Sequence, residues 1–185
     1  LGCKNTTSWG RKISIQEAEL AVTFHEPPED LARFFTTFYY VTSNQLSGKL
    51  AADSLHPEWA GLRIITEGSK PHCKISETEH IKDADTMVTG PSSLPLQFEN
   101  GSCIMWGVGL LPLGWSVFVD LPADAYANTV RNAREAPEFA QFAGLADIML
   151  EPSKGETEQL ADLIAFFRDD ANRLKKEDPR IARIH

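Results

Sequence analysis

The stretch Gly101–Pro122, GSCIMWGVGLLPLGWSVFVDLP, is the longest apolar run in the chain and constrains the fold most. Over residues 102–108, Ile104, Trp106 and Val108 alternate with Cys103, Met105 and Gly107, and neither set carries a charge. An uncharged alternation predicts a strand covered on both faces. Gly107, Gly109, Pro112 and Gly114 then interrupt the pattern. Glycine admits close approach or positive φ, and proline fixes φ and removes a donor. Residues 115–119 are apolar again and lead toward helical spacing. The segment is therefore expected to carry the chain out of a sheet and into helices. A core strand and a tight turn account for most of it. Met105 and Trp106 have a second possible use, as the lining of a pocket.

A chain of 185 residues is long enough for one core, or for one domain with a helical appendage. Its 42% hydrophobic and 24% charged content is that of an ordinary globular domain. The formal net charge of -8 argues against nucleic-acid binding by this chain alone, because phosphate contact needs Lys and Arg gathered on one face. No run reaches the length of a membrane span, and the opening LGCKNTTSWGRK lacks the apolar core of a signal peptide. The first residue is Leu, so a fragment or retained extra residues is expected. Cys3, Cys73 and Cys103 are odd in number and widely spaced, without a CxxC. That disfavours a disulfide framework or a zinc knuckle and fits the cytoplasm.

Along the chain, residues 13–15, 20–24, 35–43, 62–66, 72–78, 86–88 and 94–98 show short β-rich or alternating patterns. Leu20, Val22 and Phe24 share one side of the second. Residues 29–34 are expected to form one helical turn after Pro27-Pro28. Residues 44–58 read as loop. Asn100-Gly101 reads as a two-residue hairpin turn into the central strand. The count is seven or eight short strands with no helix between them, which predicts a barrel or sandwich and disfavours a parallel sheet. After Pro122 the period changes. Ala123, Tyr126, Ala127 and Val130 recur at helical spacing. Pro137 opens a second helix with Phe139, Phe142, Ala143, Ala146 and Met149. Ser153 and Glu156 read as a capping box at the head of a third helix. Its apolar stripe is Leu160, Leu163, Ile164, Phe167, Ala171 and Leu174, and it should end before Pro179. The fold class is thus α+β, with a β region over residues 1–119 and a helical region over 120–185.

The chemistry-bearing residues are few. His56, Glu58, His72, Glu79 and His80 include no H-x-H, and Glu79 and His80 would face opposite ways on a strand. No metal site is expected, since ligands must converge at fixed distances. No P-loop, GxGxxG or GxSxG is present, so neither a catalytic residue nor a cofactor is assigned. Arg63 stands in an otherwise apolar strand. It can meet an anionic ligand through its fork, pair with Glu58, or lie on the outer face. Trp59 and Trp106 are flat apolar walls that serve either a pocket or the core. The candidate ligand set is Trp59, Arg63, Met105 and Trp106. The six stripe residues of the third helix are the candidate dimer interface, with packing inside the same chain as the competing use.

HPEWAGLRIITEG (56–68), GPSSLPLQFENG (90–101), WGVGLLPLGWSVFV (106–119) and the final DPRIARIH (178–185) together resemble the amino-terminal half of an AraC/XylS-type bacterial transcription regulator. The likeness runs from about Phe24 to the end. It implies a cupin-like antiparallel β-barrel followed by three dimerisation helices. It also implies a homodimer, an unidentified small-molecule effector, and DNA contact through a carboxy-terminal half of two helix-turn-helix units that lies beyond this chain. A small cupin-type barrel enzyme and a pure dimerisation module with a filled barrel are the alternatives. The family supplies no ligand residues for transfer, and no arm typical of sugar sensing is recognisable at the amino end.

Overall fold

The apolar run forms the middle of the larger of two antiparallel sheets. The structure, a computed structural model, describes residues 8–15, 18–45, 48 and 50–177. Its strands are β1 (Ser8–Ile15), β2 (Ala18–His25), β3 (Phe35–Gln45), β4 (Ala51–Leu55), β5 (Gly61–Gly68) and β6 (His72–Lys74). They continue with β7 (His80–Ile81), β8 (Thr86–Thr89), β9 (Leu96–Asn100), β10 (Cys103–Leu110) and β11 (Val130–Asn132). The large sheet runs β1-β2-β3-β10-β5-β8-β11 and the small one β4-β9-β6-β7. Three helices follow or interleave: α1 (Pro112–Phe118), α2 (Ala140–Met149) and α3 (Glu156–Glu177). No helix among the described residues is long and apolar enough to cross a membrane.

The two faces of β10 explain the layering. Trp106, Val108 and Leu110 join Phe35, Phe38, Leu62 and Ile64 in a core completed by Trp115 and Phe118 of α1, Phe142 and Leu145 of α2, and Leu163 and Phe167 of α3. Cys103, with Met105 packed beside it, faces the other way into a second core. There Ile65, Met87 and Val130 meet Cys73, Ile75 and Leu96, and Phe98 packs against them from the small sheet. Helices thus cover one face of the large sheet and the small sheet covers the other, which satisfies an uncharged strand on both sides.

Several expectations need correction. Among the described residues no closed barrel forms; two sheets pack face to face, and eleven strands rather than seven or eight are found. The extra strands are β4, inside the stretch read as loop, the two-residue β7, and β11. Asn100-Gly101 is not a hairpin turn, because β9 pairs with β4 and β6 while β10 pairs with β3 and β5. The chain changes sheets there. Gly101 N–H donates to Ser69 Oγ (3.2 Å), and Ser69 N–H to Ser102 O (2.8 Å), which pins the start of β10 to the end of β5. Gly68, at φ +85°, makes that crossing possible; a Cβ there would stand 2.3 Å from Ser102 O.

The helix expected over residues 123–130 is only a 3₁₀ turn, Ala123–Tyr126. Asn128 then takes φ +56°, and its Oδ1 accepts from Ser93 N–H (2.9 Å) and Leu94 N–H (3.2 Å). That side chain ends the turn and sends the chain back into β11, beside β8. The first true helix is α1, with Pro112 in its first turn. The Ser153–Glu156 capping box does not form. The first helical hydrogen bond of α3 runs from Gln159 N–H to Gly155 O (3.0 Å), and Glu158 Oε2 reaches back to Gly155 N–H (3.2 Å). Glycine at the cap and Glu158 therefore do the capping, and Glu156 is released for another partner.

Candidate functional site

β5 and β10 run side by side with Arg63 opposite Gly107, and β3 lies on the other side of β10 with Tyr39 opposite the same glycine. A Cβ at Gly107 would stand 1.8 Å from Tyr39 Cζ, so the missing side chain is the space the phenol ring occupies. Arg63 is 3% exposed. Its Nη2 donates to Glu58 Oε1 (2.5 Å) and its Nη1 to Thr89 Oγ1 (3.2 Å). Thr89 Oγ1 also lies 3.3 Å from Glu58 Oε1 and from Gly61 O. Arg63 Nε is buried and has no hydrogen-bond partner among the described residues.

The electrostatics follow from burial and pairing. Burial opposes the charge on Arg63, but Tyr39 and the Glu58 carboxylate outweigh it and hold the guanidinium above its usual range. Burial raises the Tyr39 phenol despite the nearby guanidinium. Burial also pushes the Cys73 thiol up to about 11, so that thiol stays protonated.

Glu58 connects this cluster to the surface. Its side chain is 31% exposed and lines a groove of about 430 Å³ with Pro57, Trp59, Pro91, Ser92, Ser93, Ala127 and Asn128. Trp59 is 61% exposed. The groove walls are fixed by backbone bonds: Ser92 N–H donates to Glu58 O (2.9 Å) and Asn128 N–H to Pro91 O (2.9 Å). Of the four candidate ligand residues, Trp59 and Arg63 are thus joined through Glu58. Met105 shares the sheet face of Arg63 and packs into the second core.

Trp106 points the other way and is fully buried under the helices. Its indole Nε1–H donates to Gln159 Oε1 of α3 (2.8 Å), and Gln159 Nε2 donates to Met149 O at the end of α2 (3.1 Å). His25, at the end of β2, stands with its ring centroid 5.4 Å from that of Trp106, and its Nε2 lies 3.1 Å from Glu156 Oε1. His25, Tyr39 and Gln159 escaped the sequence reading, and Glu156 entered it only as a capping-box residue. Gln159 carried the best signal, as a polar residue one turn before Leu163 on the stripe side of α3.

Within the stripe, Leu163, Phe167 and Ala171 are buried inside this chain, while Leu160 and Ile164 are half-buried. Phe167 touches the rings of Phe35, Phe38, Phe118, Phe142 and Phe166. The Leu174 side chain, the terminal DPRIARIH and residues 1–7 lie outside the described residues. His72 and His80 have ring centroids 6.0 Å apart. Among the described residues no three His, Cys, Asp or Glu side chains are grouped to hold a metal ion.

The α+β class with antiparallel sheets and three helices is therefore established for the described residues. No protein-family model matches the chain, and no curated protein matches it. One solved structure with a partial likeness is a cupin-like protein from Thermotoga maritima, at 15% identity and a TM-score of 0.33. That likeness covers 53% of this chain and 74% of the other.

Proposed function

We propose that the chain is the effector-sensing and dimerising part of a bacterial AraC/XylS-type transcription regulator. In this reading it is not an enzyme, needs no cofactor, acts in the cytoplasm as a homodimer, and reaches DNA through two helix-turn-helix units carried by a further segment of the same protein. The sequence motifs HPEW (56–59) and VGLLPLGW (108–115) support it.

The observation that carries the reading lies in two adjacent residues of β10. Gly107 makes room for Tyr39 beside Arg63, and Trp106 on the opposite face seats Gln159 of α3. A small molecule that alters the Glu58–Arg63–Tyr39 cluster acts on the same strand that positions the last helix. An effector favouring one seating of α3 over another shifts a two-state equilibrium by its differential affinity, and the DNA-binding segment reads the result. The test is the coding sequence downstream of residue 185. The reading expects it to continue into two helix-turn-helix units; a stop codon, or a continuation of another kind, contradicts it.

A further inference from the structure

We infer that the groove between Trp59 and Asn128 binds a small organic ammonium ion with an apolar body. Among the described residues Glu58 is the one charged residue lining it, and the walls are otherwise apolar or neutral. Glu58 Oε1 is taken by Arg63 and Thr89, but Oε2 has no hydrogen-bond partner among the described residues. The Arg63 guanidinium, at 3% exposure, lies behind that carboxylate and is already neutralised by it. The charge that the groove offers a ligand is therefore that of the partly exposed Glu58 side chain. Trp59 adds an exposed indole, the ring that best attracts a cation to its face. Pro57 and Pro91 supply rigid apolar contact for the body of the ligand. Asn128, with its backbone and side chain both bound to residues 91–94, keeps the far wall in place, so little ordering is needed on binding. The net charge of -8 also favours cations over anions near the surface.

This deepens the sensing reading, since the groove touches Arg63 only through Glu58. The binding itself is measured on this chain and does not depend on any DNA-binding segment. Benzyltrimethylammonium, benzyl alcohol and benzoate are titrated separately while the Trp59 indole N–H is followed by NMR, with Trp59→Phe used for assignment. The expected result is a saturable shift of the Trp59 signal with the cation, at least about tenfold tighter than with either control. Trp59→Ala, a change at an exposed position, should weaken the cation about tenfold, measured by calorimetry. Glu58→Gln, which keeps an acceptor for Arg63, should do the same. Equal or tighter binding of the alcohol or benzoate overturns the inference. So does the absence of any saturable shift, or full affinity retained by Trp59→Ala. A failure here leaves the regulatory reading standing, and a stop codon after residue 185 leaves the groove's ligand class standing.

Discussion

The indole N–H of Trp106 on β10 donates to the side-chain carbonyl of Gln159 on α3 across 2.8 Å, and both residues are buried. This bond and the His25–Glu156 contact (3.1 Å) tie the large sheet to α3 across a mostly apolar layer. The amide of Gln159 also holds the last carbonyls of α2 and the turn before α3, at Met149 (3.1 Å) and Lys154 (3.5 Å). Replacing Gln159 by Leu strands a buried donor and should lower stability by about 1–3 kcal/mol in urea unfolding. Adding Trp106→Phe to Gln159→Leu should cost less than the sum of the two single changes, because the stranded donor is gone. Strict additivity would show that the bond does not contribute.

Gly107→Ala tests the packing of the Arg63 cluster. The new methyl group would overlap the Tyr39 ring, which lies near the Arg63 guanidinium. The expected loss is about 1–3 kcal/mol, the usual cost of overpacking. In a Tyr39→Ala background the same substitution should cost clearly less. A Gly107→Ala variant as stable as the parent would mean that the ring does not fill that space.

Asp85 gives a pH dependence with a defined sign. Burial alone would raise its carboxyl, but hydrogen bonds from Arg134 and Thr86 and the charges of Arg134 and Lys70 outweigh this and leave it below its usual value. Its contribution to stability is therefore complete above the unfolded carboxyl pKa, about 3.9, and is lost as pH falls through the lower folded value. Denaturant midpoints should drop below about pH 4, and Asp85→Asn should remove part of that drop. A variant with an unchanged acid profile contradicts the assignment.

Phe167 has no exposed surface and sits among five aromatic rings of its own chain. Phe167→Ala should cost about 3–5 kcal/mol, and Phe167→Glu should unfold the protein rather than yield a folded monomer. A homodimer built on this helical face would then use the half-buried residues Leu160, Ile164 and Phe166 and the exposed Ile148. Sedimentation at tens of micromolar should show a dimer for the parent and a folded monomer for Ile148→Glu with Phe166→Glu. A monomeric parent contradicts the proposed dimer.

Much of the β region was legible because alternation reports burial directly. The patterns at residues 20–24, 35–43, 62–66 and 102–108 all became strands, and the uncharged β10 was rightly expected to be covered on both faces. Pairing partners were not legible. Asn100-Gly101 has the local chemistry of a hairpin turn, yet the contact that decides its role comes from Ser69, thirty-two residues away. The same holds for residues 123–130, where helical spacing lost to the side chain of Asn128 bonding to residues 93 and 94. Arg63 drew notice because a charge stood in an apolar strand, and its partner Glu58 was in view five residues earlier. Gly107 and Tyr39 gave no such signal, since a glycine that makes room for a distant ring looks like any other glycine.

The regulatory reading is tested most directly by DNA binding of the complete gene product. Gel shifts in roughly 0.15 M salt should use duplex from the region upstream of the gene, with random duplex as control. Residues 1–185 alone, with a net charge of -8, should retard neither duplex. The complete product should bind the upstream duplex with a Kd of about 10 nM or tighter and discriminate strongly against the random one. A complete product without sequence-selective binding, or selective binding by residues 1–185 alone, would contradict it.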